Sequence, residues 1–501
     1  MKQGNRILLS LLFLLVSISL RSVAEGPKTL TILHTNDMHA QFVPKEALWV
    51  RQTPRPLVGG FARIKELIDS IRAVRPATIV LDAGDVMTGN PITDHRYRGA
   101  EGGALFAMMN MMGYDAWSPG NHDFDISQDN LRGLVRIAAF PTVSANLMND
   151  RGDFPIGNVP YTILERGGLR IGIIGLISPE LYNLVNQNNL VGIRVLSPEE
   201  TVQKYVALLK GKTDLVILLT HQGVDYDSAL ATQISGVDVI VGGHSHTRLK
   251  NPKIVNGVII VQTGSSTENL GDLQLTIDHG RVVSYAGRLI PTWVTHKPSP
   301  NALTALADSM QEEIDKEYSE VIGVLGSDWT RAESQSAMGT FIADAQRLAA
   351  AADVGFMNTH GIRKDQAAGP ITKRDLFEIL PFRNILVTFE LSGKQLTGVI
   401  RYLLEQHSAI QIAGMTATYD RNPDGTVVLN DVRVLGKEIE EEKMYKCAAS
   451  DYMIGEAKHY LGVEVLQPYY LHQTLFEVVE KRIRNLKTIE PKVLYTIDKR
   501  H

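Results

Sequence analysis

At 501 residues, with 44% hydrophobic and 21% charged side chains, the chain has ordinary globular composition and is too long for one core, so two domains are expected. A formal net charge of −4 excludes the basic surface that sequence-independent binding to a nucleic-acid polymer needs. It leaves room for a small anionic substrate held by a few placed cations. The single cysteine, Cys447, excludes an internal disulfide, and its apolar surroundings predict a buried small hydrophobe.

The amino terminus comes first. Lys2 and Arg6 precede an apolar run from Ile7 to Leu20, and Ser22-Val23-Ala24 supplies small residues for cleavage. A positive head, an apolar middle and a small-residue exit predict a secretory signal over residues 1–24, and hence a periplasmic or extracellular protein. The alternative is a membrane anchor, but the run is shorter than the ~20 residues a spanning helix needs. No later segment is apolar enough to span a bilayer, so no stable membrane insertion is expected after cleavage. Removing Lys2, Arg6 and Arg21 from the 51 basic residues leaves 48 against 55 acidic ones, a net of −7.

From Thr29 to about Pro291, short β-branched runs alternate with amphipathic stretches. Thr29–His34, Thr78–Asp82, Arg170–Leu176, Leu215–Thr220 and Val237–Val241 are nearly continuous in hydrophobicity, as strands covered on both faces are. Ala62–Val74 and Pro198–Leu209 carry helical spacing, with Pro198 in the first turn after Ser197. This predicts an α/β domain over residues 25–298. After the Pro298-Ser299-Pro300 break, a charged helical stretch predicts a linker helix over 299–322. A second α/β domain, 323–501, shows helices at Ser336–Ala352 and Ser392–Leu404 and strands at Ile385–Glu390, Gly414–Tyr419 and Val427–Leu435.

Polar residues of the first domain cluster where the predicted strands end. They are Asp37-Met38-His39, Gly84-Asp85, Gly120-Asn121-His122-Asp123, Thr220-His221 and Gly243-His244-Ser245-His246. In an α/β sheet the loops beyond the strands' carboxyl ends converge on one crevice. The residue types suit two divalent metals, which at ~3.5–4 Å separation activate a water and clamp the attacking and leaving oxygens of a phosphoryl transfer. Asp37 and His39 can project towards one metal, with His246 returning to it. Asp85 is the expected bridge, and Asn121, His221 and His244 suit the second. Histidine, carboxylate and amide donors without cysteine fit zinc, manganese, iron or similar ions and do not choose among them. Singly, each element has a plainer explanation: a lone histidine is usually a satisfied polar residue, and Gly-Asn favours turns. Five in this order, each after a strand, are harder to dismiss.

These blocks resemble those of the calcineurin-like metallophosphoesterases. The longer phrases Leu33-His34-Thr35-Asn36-Asp37-Met38-His39 and Gly120-Asn121-His122-Asp123-Phe124-Asp125 are similar to the 5′-nucleotidases, over nearly the whole mature chain. The resemblance implies a four-layer β-sandwich flanked by helices, followed by a substrate-binding domain. It also implies that His122 and Asp125 form a catalytic dyad, which agrees with physics. A histidine beside a metal ligand can reach the ester oxygen, and a carboxylate three residues on can orient it. The competing role for Asp125 is a helix cap. Asp82 and Asp123 read as carboxylates supporting the ligand loops.

In the second domain, Asn358-Thr359-His360-Gly361-Ile362-Arg363, Pro381-Phe382-Arg383-Asn384 and Ser450-Asp451-Tyr452 resemble the family's substrate blocks. By resemblance, Phe382 and Tyr452 sandwich a nucleobase, while Asn358, Arg363 and Asn384 contact nucleoside or phosphate. Without the resemblance, core aromatics would be the ordinary reading. His360 and Arg383 stand where glycines are usual, and Lys458 falls near a usual acidic contact. The implied activity is release of nucleoside and phosphate from nucleoside 5′-monophosphates. The alternatives are a 2′,3′-cyclic-nucleotide phosphodiesterase/3′-nucleotidase, a nucleotide-sugar hydrolase, a sulfur-ester hydrolase, or a non-catalytic binding protein keeping the fold.

Overall fold

The computed structural model describes residues 26–332, 335–406 and 409–500. The predicted secretory segment, 1–24, lies outside them. Two α/β domains follow one another along the chain. In the first, strand Lys28–Thr35 lies between Thr78–Asp82, which runs parallel to it, and Asn269–Asp278, which runs antiparallel. Ala116–Trp117 and Arg281–Pro291 complete this five-stranded sheet. A second sheet of six strands has Leu169–Ile177, Leu215–His221, Val239–Gly242 and Val258–Val261 parallel at its centre.

Alternation along each strand explains the layering. Leu30 and Ile32 point into a core shared with Ile171, Ile217 and Val241 of the other sheet, so the two sheets pack face to face. Leu33 and Val80 point the other way, onto helices Phe61–Val74 and Gly103–Met112. Leu218 and Ile240 point outward from the second sheet, onto helices Pro198–Leu209 and Val224–Gln233. The result is helix, sheet, sheet, helix: four layers. The helix at Pro198 begins as its sequence requires, with the Ser197 side chain accepting from the Glu200 N–H at 3.2 Å.

The second domain is built on a five-stranded sheet ordered Ile410–Ala413, Val354–Asn358, Met444–Ser450, Ile385–Ser392, Tyr469–Thr474. Helix Ala337–Ala349 contributes to the core on one face and helix Gly393–Gln406 to that on the other. Cys447 sits in the middle strand, fully buried, and burial pushes its thiol well above the usual range. Between the domains runs helix Ala302–Tyr318, capped reciprocally by Asn301 and Thr304. It is more than a spacer: Leu303, Ala307, Ile314 and Tyr318 enter the first domain's core. Phe377 of the second domain meets Tyr318 edge-on, ring centroids 5.6 Å apart. Among the described residues, no helix is long and apolar enough to cross a membrane.

Candidate dimetal active site

The predicted loops follow strands that run parallel within each of the two sheets, and the donors they carry come together at one place. The two sheets are joined there by His221, whose Nδ1 lies 2.6 Å from the Ala83 carbonyl. A carbonyl only accepts, so Nδ1 carries the hydrogen and Nε2 presents a lone pair. That lone pair lies 3.1 Å from Asp85 Oδ2. Such a contact demands positive charge between the two atoms. A proton is one solution: burial lowers the imidazole's affinity for it, but Asp85 and Asp37 outweigh burial and push His221 up to about 10.

Two donor groups result: Asp37, His39 and His246 in one, and Asp85, His221 and His244 in the other, the donor atoms of each within 4.8 Å of one another. In the first group, His39 Nδ1 donates to the Thr88 carbonyl at 3.0 Å, turning Nε2 to within 3.0 Å of His246 Nε2. Asp37 Oδ1 lies 3.3 Å from His246 Nε2 and 3.9 Å from His221 Nε2, so its carboxylate reaches both groups. One oxygen of Asp85 faces His221, and the other accepts from the His122 N–H at 2.8 Å. Asn121 is buried, and its amide oxygen has no hydrogen-bond partner. Two carboxylates, four imidazoles and a free amide oxygen, mostly buried, fit two divalent cations.

The backbone that carries these donors is unusual as well. Asp37, His39, Asp85, His244 and His246 all have φ between +47° and +79°. Left-handed backbone at a non-glycine residue costs about 1–3 kcal/mol and concentrates at functional sites. Carboxylates beneath the loops hold it. Asp123 accepts from the N–H groups of Asp85, Val86, Met87 and Gly120, and Asp82 from Thr35 and Gly84.

Beside the donors, His122 Nδ1 lies 2.8 Å from Asp125 Oδ2. Asp125 is not the cap of the following helix; Ser127 is, accepting from the Asn130 N–H at 3.1 Å. Burial lowers the affinity of the His122 ring for a proton, but Asp125 and Asp85 more than offset it and hold the imidazole above its ordinary value.

A cleft of about 600 Å³ opens over the donors between the two domains. Asp85, Asn121, His122, Asp125, His244 and His246 line it from the first domain, and Asn358, Arg363, Phe382, Asn384 and Tyr452 from the second. Asp37, His39 and His221 are buried in the same site. Phe382 and Tyr452 are only partly buried, and so are not core aromatics. Phe382 lies with its centroid 5.3 Å from that of His122, and the Arg363 guanidinium is 5.9 Å from the Phe382 centroid. Arg363 Nη2 also approaches His39 Nε2 to 3.0 Å, which puts it at the metal end of the cleft. Asn358 Oδ1 is buried without a partner.

Several lining residues escaped the sequence reading. His459 and Tyr460 form wall near Tyr452, while Lys458 is exposed. Thr88 joins the two halves of the site: its carbonyl holds His39, and its hydroxyl donates to Asp125 at 2.7 Å. No spacing rule would have selected it. His360 lines the cleft, and Arg383 reaches out of it to the first domain.

A four-layer sandwich with paired donor groups at its strand ends defines a metal-dependent phosphoester hydrolase. Residues 30–248 match the calcineurin-like phosphoesterase family, and 318–462 match the 5′-nucleotidase C-terminal domain. The 5′-nucleotidase of Vibrio cholerae is 30% identical over 515 residues, covering 89% of this chain and 90% of that one. The 5′-nucleotidase of Mus musculus is 31% identical over 530 residues, covering 93% and 89%. The solved structure of a 5′-nucleotidase precursor from Thermus thermophilus matches with a TM-score of 0.84 at 28% identity, covering 94% of this chain and 99% of that one. This chain belongs to the 5′-nucleotidase family.

Proposed function

We propose that the chain hydrolyses nucleoside 5′-monophosphates outside the cytoplasm, releasing nucleoside and inorganic phosphate. Residues 25–298 carry the metal ligands and the dyad, 323–501 carry the substrate residues, and 299–322 joins them. Asp37, His39 and His246 would hold one cation and Asn121, His221 and His244 the other, with Asp85 the carboxylate expected to be shared between them. When bound, divalent cations such as zinc, manganese or iron supply Lewis acidity to the phosphoryl oxygens and lower the pKa of an attacking water.

The observation that carries the reading is the position of His122. Its ring centroid lies 5.4 Å from that of His39 and 5.3 Å from that of Phe382, so one imidazole stands between the metal donors and the aromatic wall. With Nδ1 held by Asp125, Nε2 is the free nitrogen, suited to protonate the leaving 5′-oxygen. Arg363, at the metal end, neutralises phosphate charge. Phe382 and Tyr452 hold the base by its faces, which tolerates purines and pyrimidines alike. Asn358 and Asn384 supply hydrogen bonds to nucleoside or phosphate.

The test is a panel of AMP, 2′,3′-cyclic AMP and UDP-glucose with the mature protein and defined metals. AMP should dominate in kcat/KM; predominant turnover of either other ester would replace the monoesterase reading. Export rests on the amino-terminal pattern, and an exported protein beginning near Glu25 is the expected product.

A further inference from the structure

Arg383 stands beside Phe382, and its side chain leaves the second domain. Its Nη2 lies 2.8 Å from Asp94 Oδ1 and 2.9 Å from Glu101 Oε2, both in the first domain. These are charge-assisted bonds from one nitrogen to two carboxylates. On the other side of the cleft, the Tyr452 hydroxyl donates to the Asn183 carbonyl at 2.9 Å and accepts from the Tyr460 hydroxyl at 3.2 Å. Each aromatic of the base clamp is therefore fastened to the opposite domain, one through the next residue and one directly.

Both fastenings end on segments that brace the dyad. Glu101 exchanges backbone hydrogen bonds with the Asn130 side chain, at 2.8 and 3.0 Å, in the helix that follows Asp125. Six residues beyond Asn183, the Asn189 amide donates to the carbonyls of Phe124 and Asp125, each at 2.9 Å. The chain thus runs from aromatic wall to anchor to catalytic turn on both sides.

We propose that Arg383 is a specificity-determining positioning residue. Its bonds to Asp94 and Glu101 fix the reach between Phe382 and the His122–Asp125 turn, so that a base and a phosphate one ribose apart are gripped together. The proposal rests on the nucleotidase reading for its substrate but not for its geometry. Arg383 touches no reacting atom; it sets where Phe382 stands. Because the guanidinium is more than half exposed, the effect should be modest and should weaken with salt.

The experiment has two arms. In the first, spin labels at Val191→Cys and Leu466→Cys, 74% and 75% exposed in opposite domains, report the distance across the cleft. Cys447 is buried and does not compete. Arg383→Ala should broaden or lengthen that distribution, and so should Asp94→Asn with Glu101→Gln. In the second arm, the preference for AMP over ribose 5-phosphate in kcat/KM should fall about three- to tenfold in Arg383→Ala, mostly through KM. Combining Arg383→Ala with the two carboxylate substitutions should add little, as for partners in one interaction. An unchanged distance distribution overturns the tether, whatever the kinetics. An unchanged preference, or full additivity, in a protein that does hydrolyse AMP overturns its role in specificity. Should the metal-loaded wild type leave AMP intact, the nucleotidase reading fails, and the distance arm still decides the tether.

Discussion

His122 occupies a short turn, His122–Phe124, directly after Asn121, whose amide oxygen is buried without a partner. Its N–H is held by Asp85 and its ring by Asp125, so its position is fixed twice. His122→Ala removes the ring without removing a metal donor. Metal content should stay near wild type while kcat falls by ~10²–10⁴ if the ring acts in proton transfer. Metal analysis beside turnover checks this; a comparable loss of metal would make the ring a support for the ligands instead. Residue by residue, the candidate donors that gather into two groups were the most legible part of the sequence, because only certain side chains bind divalent ions and most followed a predicted strand. Asp125 was ambiguous, since a carboxylate before a helix is also a good cap; Ser127 takes that role and leaves Asp125 for the histidine. Thr88 was invisible, because its work depends on a left-handed backbone that sequence does not announce.

At the scale of elements, close approach between loops decides what the site tolerates. A Cβ at Gly120 would overlap Asp85 Oδ1 and stand 2.7 Å from His221 Cε1. Gly120→Ala should therefore displace the Asp85 and His221 donors, halving bound metal and abolishing turnover. Full metal occupancy in that variant would show that the loops shift freely. Most strands and helices named from the sequence lie close to observed ones, because continuous apolar runs and helical spacing are local signals. The linker helix, however, is shorter than the span 299–322, and helix Gly103–Met112 and strands Asn269–Asp278 and Arg281–Pro291 were not read at all. Helix Pro198–Leu209 lies where its proline and serine put it, and Ser336 caps Ala337–Ala349. What could not be read is how elements far apart in the chain meet. Arg383 and its acidic partners are separated by 289 and 282 positions, and their contact follows only from the docking of two domains.

For the whole molecule, the cleft lies between domains, yet the buried donors belong to the first. Metal binding should therefore stabilise that domain in particular. Ions present at 100 times their dissociation constant add about 2.7 kcal/mol, so chelation should lower its melting temperature by roughly 5–10 °C while moving the second domain little. Calorimetry with and without chelator, and with metal restored, distinguishes this from an even loss across both transitions. The helix Ala302–Tyr318 sets where such a dissection can be made. Its apolar side completes the hydrophobic interior of the first domain. Brief digestion by a nonspecific protease should then release an amino-terminal piece that keeps this helix and ends beyond Tyr318. A piece severed before Asn301 would lack Leu303, Ile314 and Tyr318, bare the core surface they cover, and should aggregate on isolation. The segment that looks in sequence like a tether between two bodies is, by this measure, the last structural member of one of them.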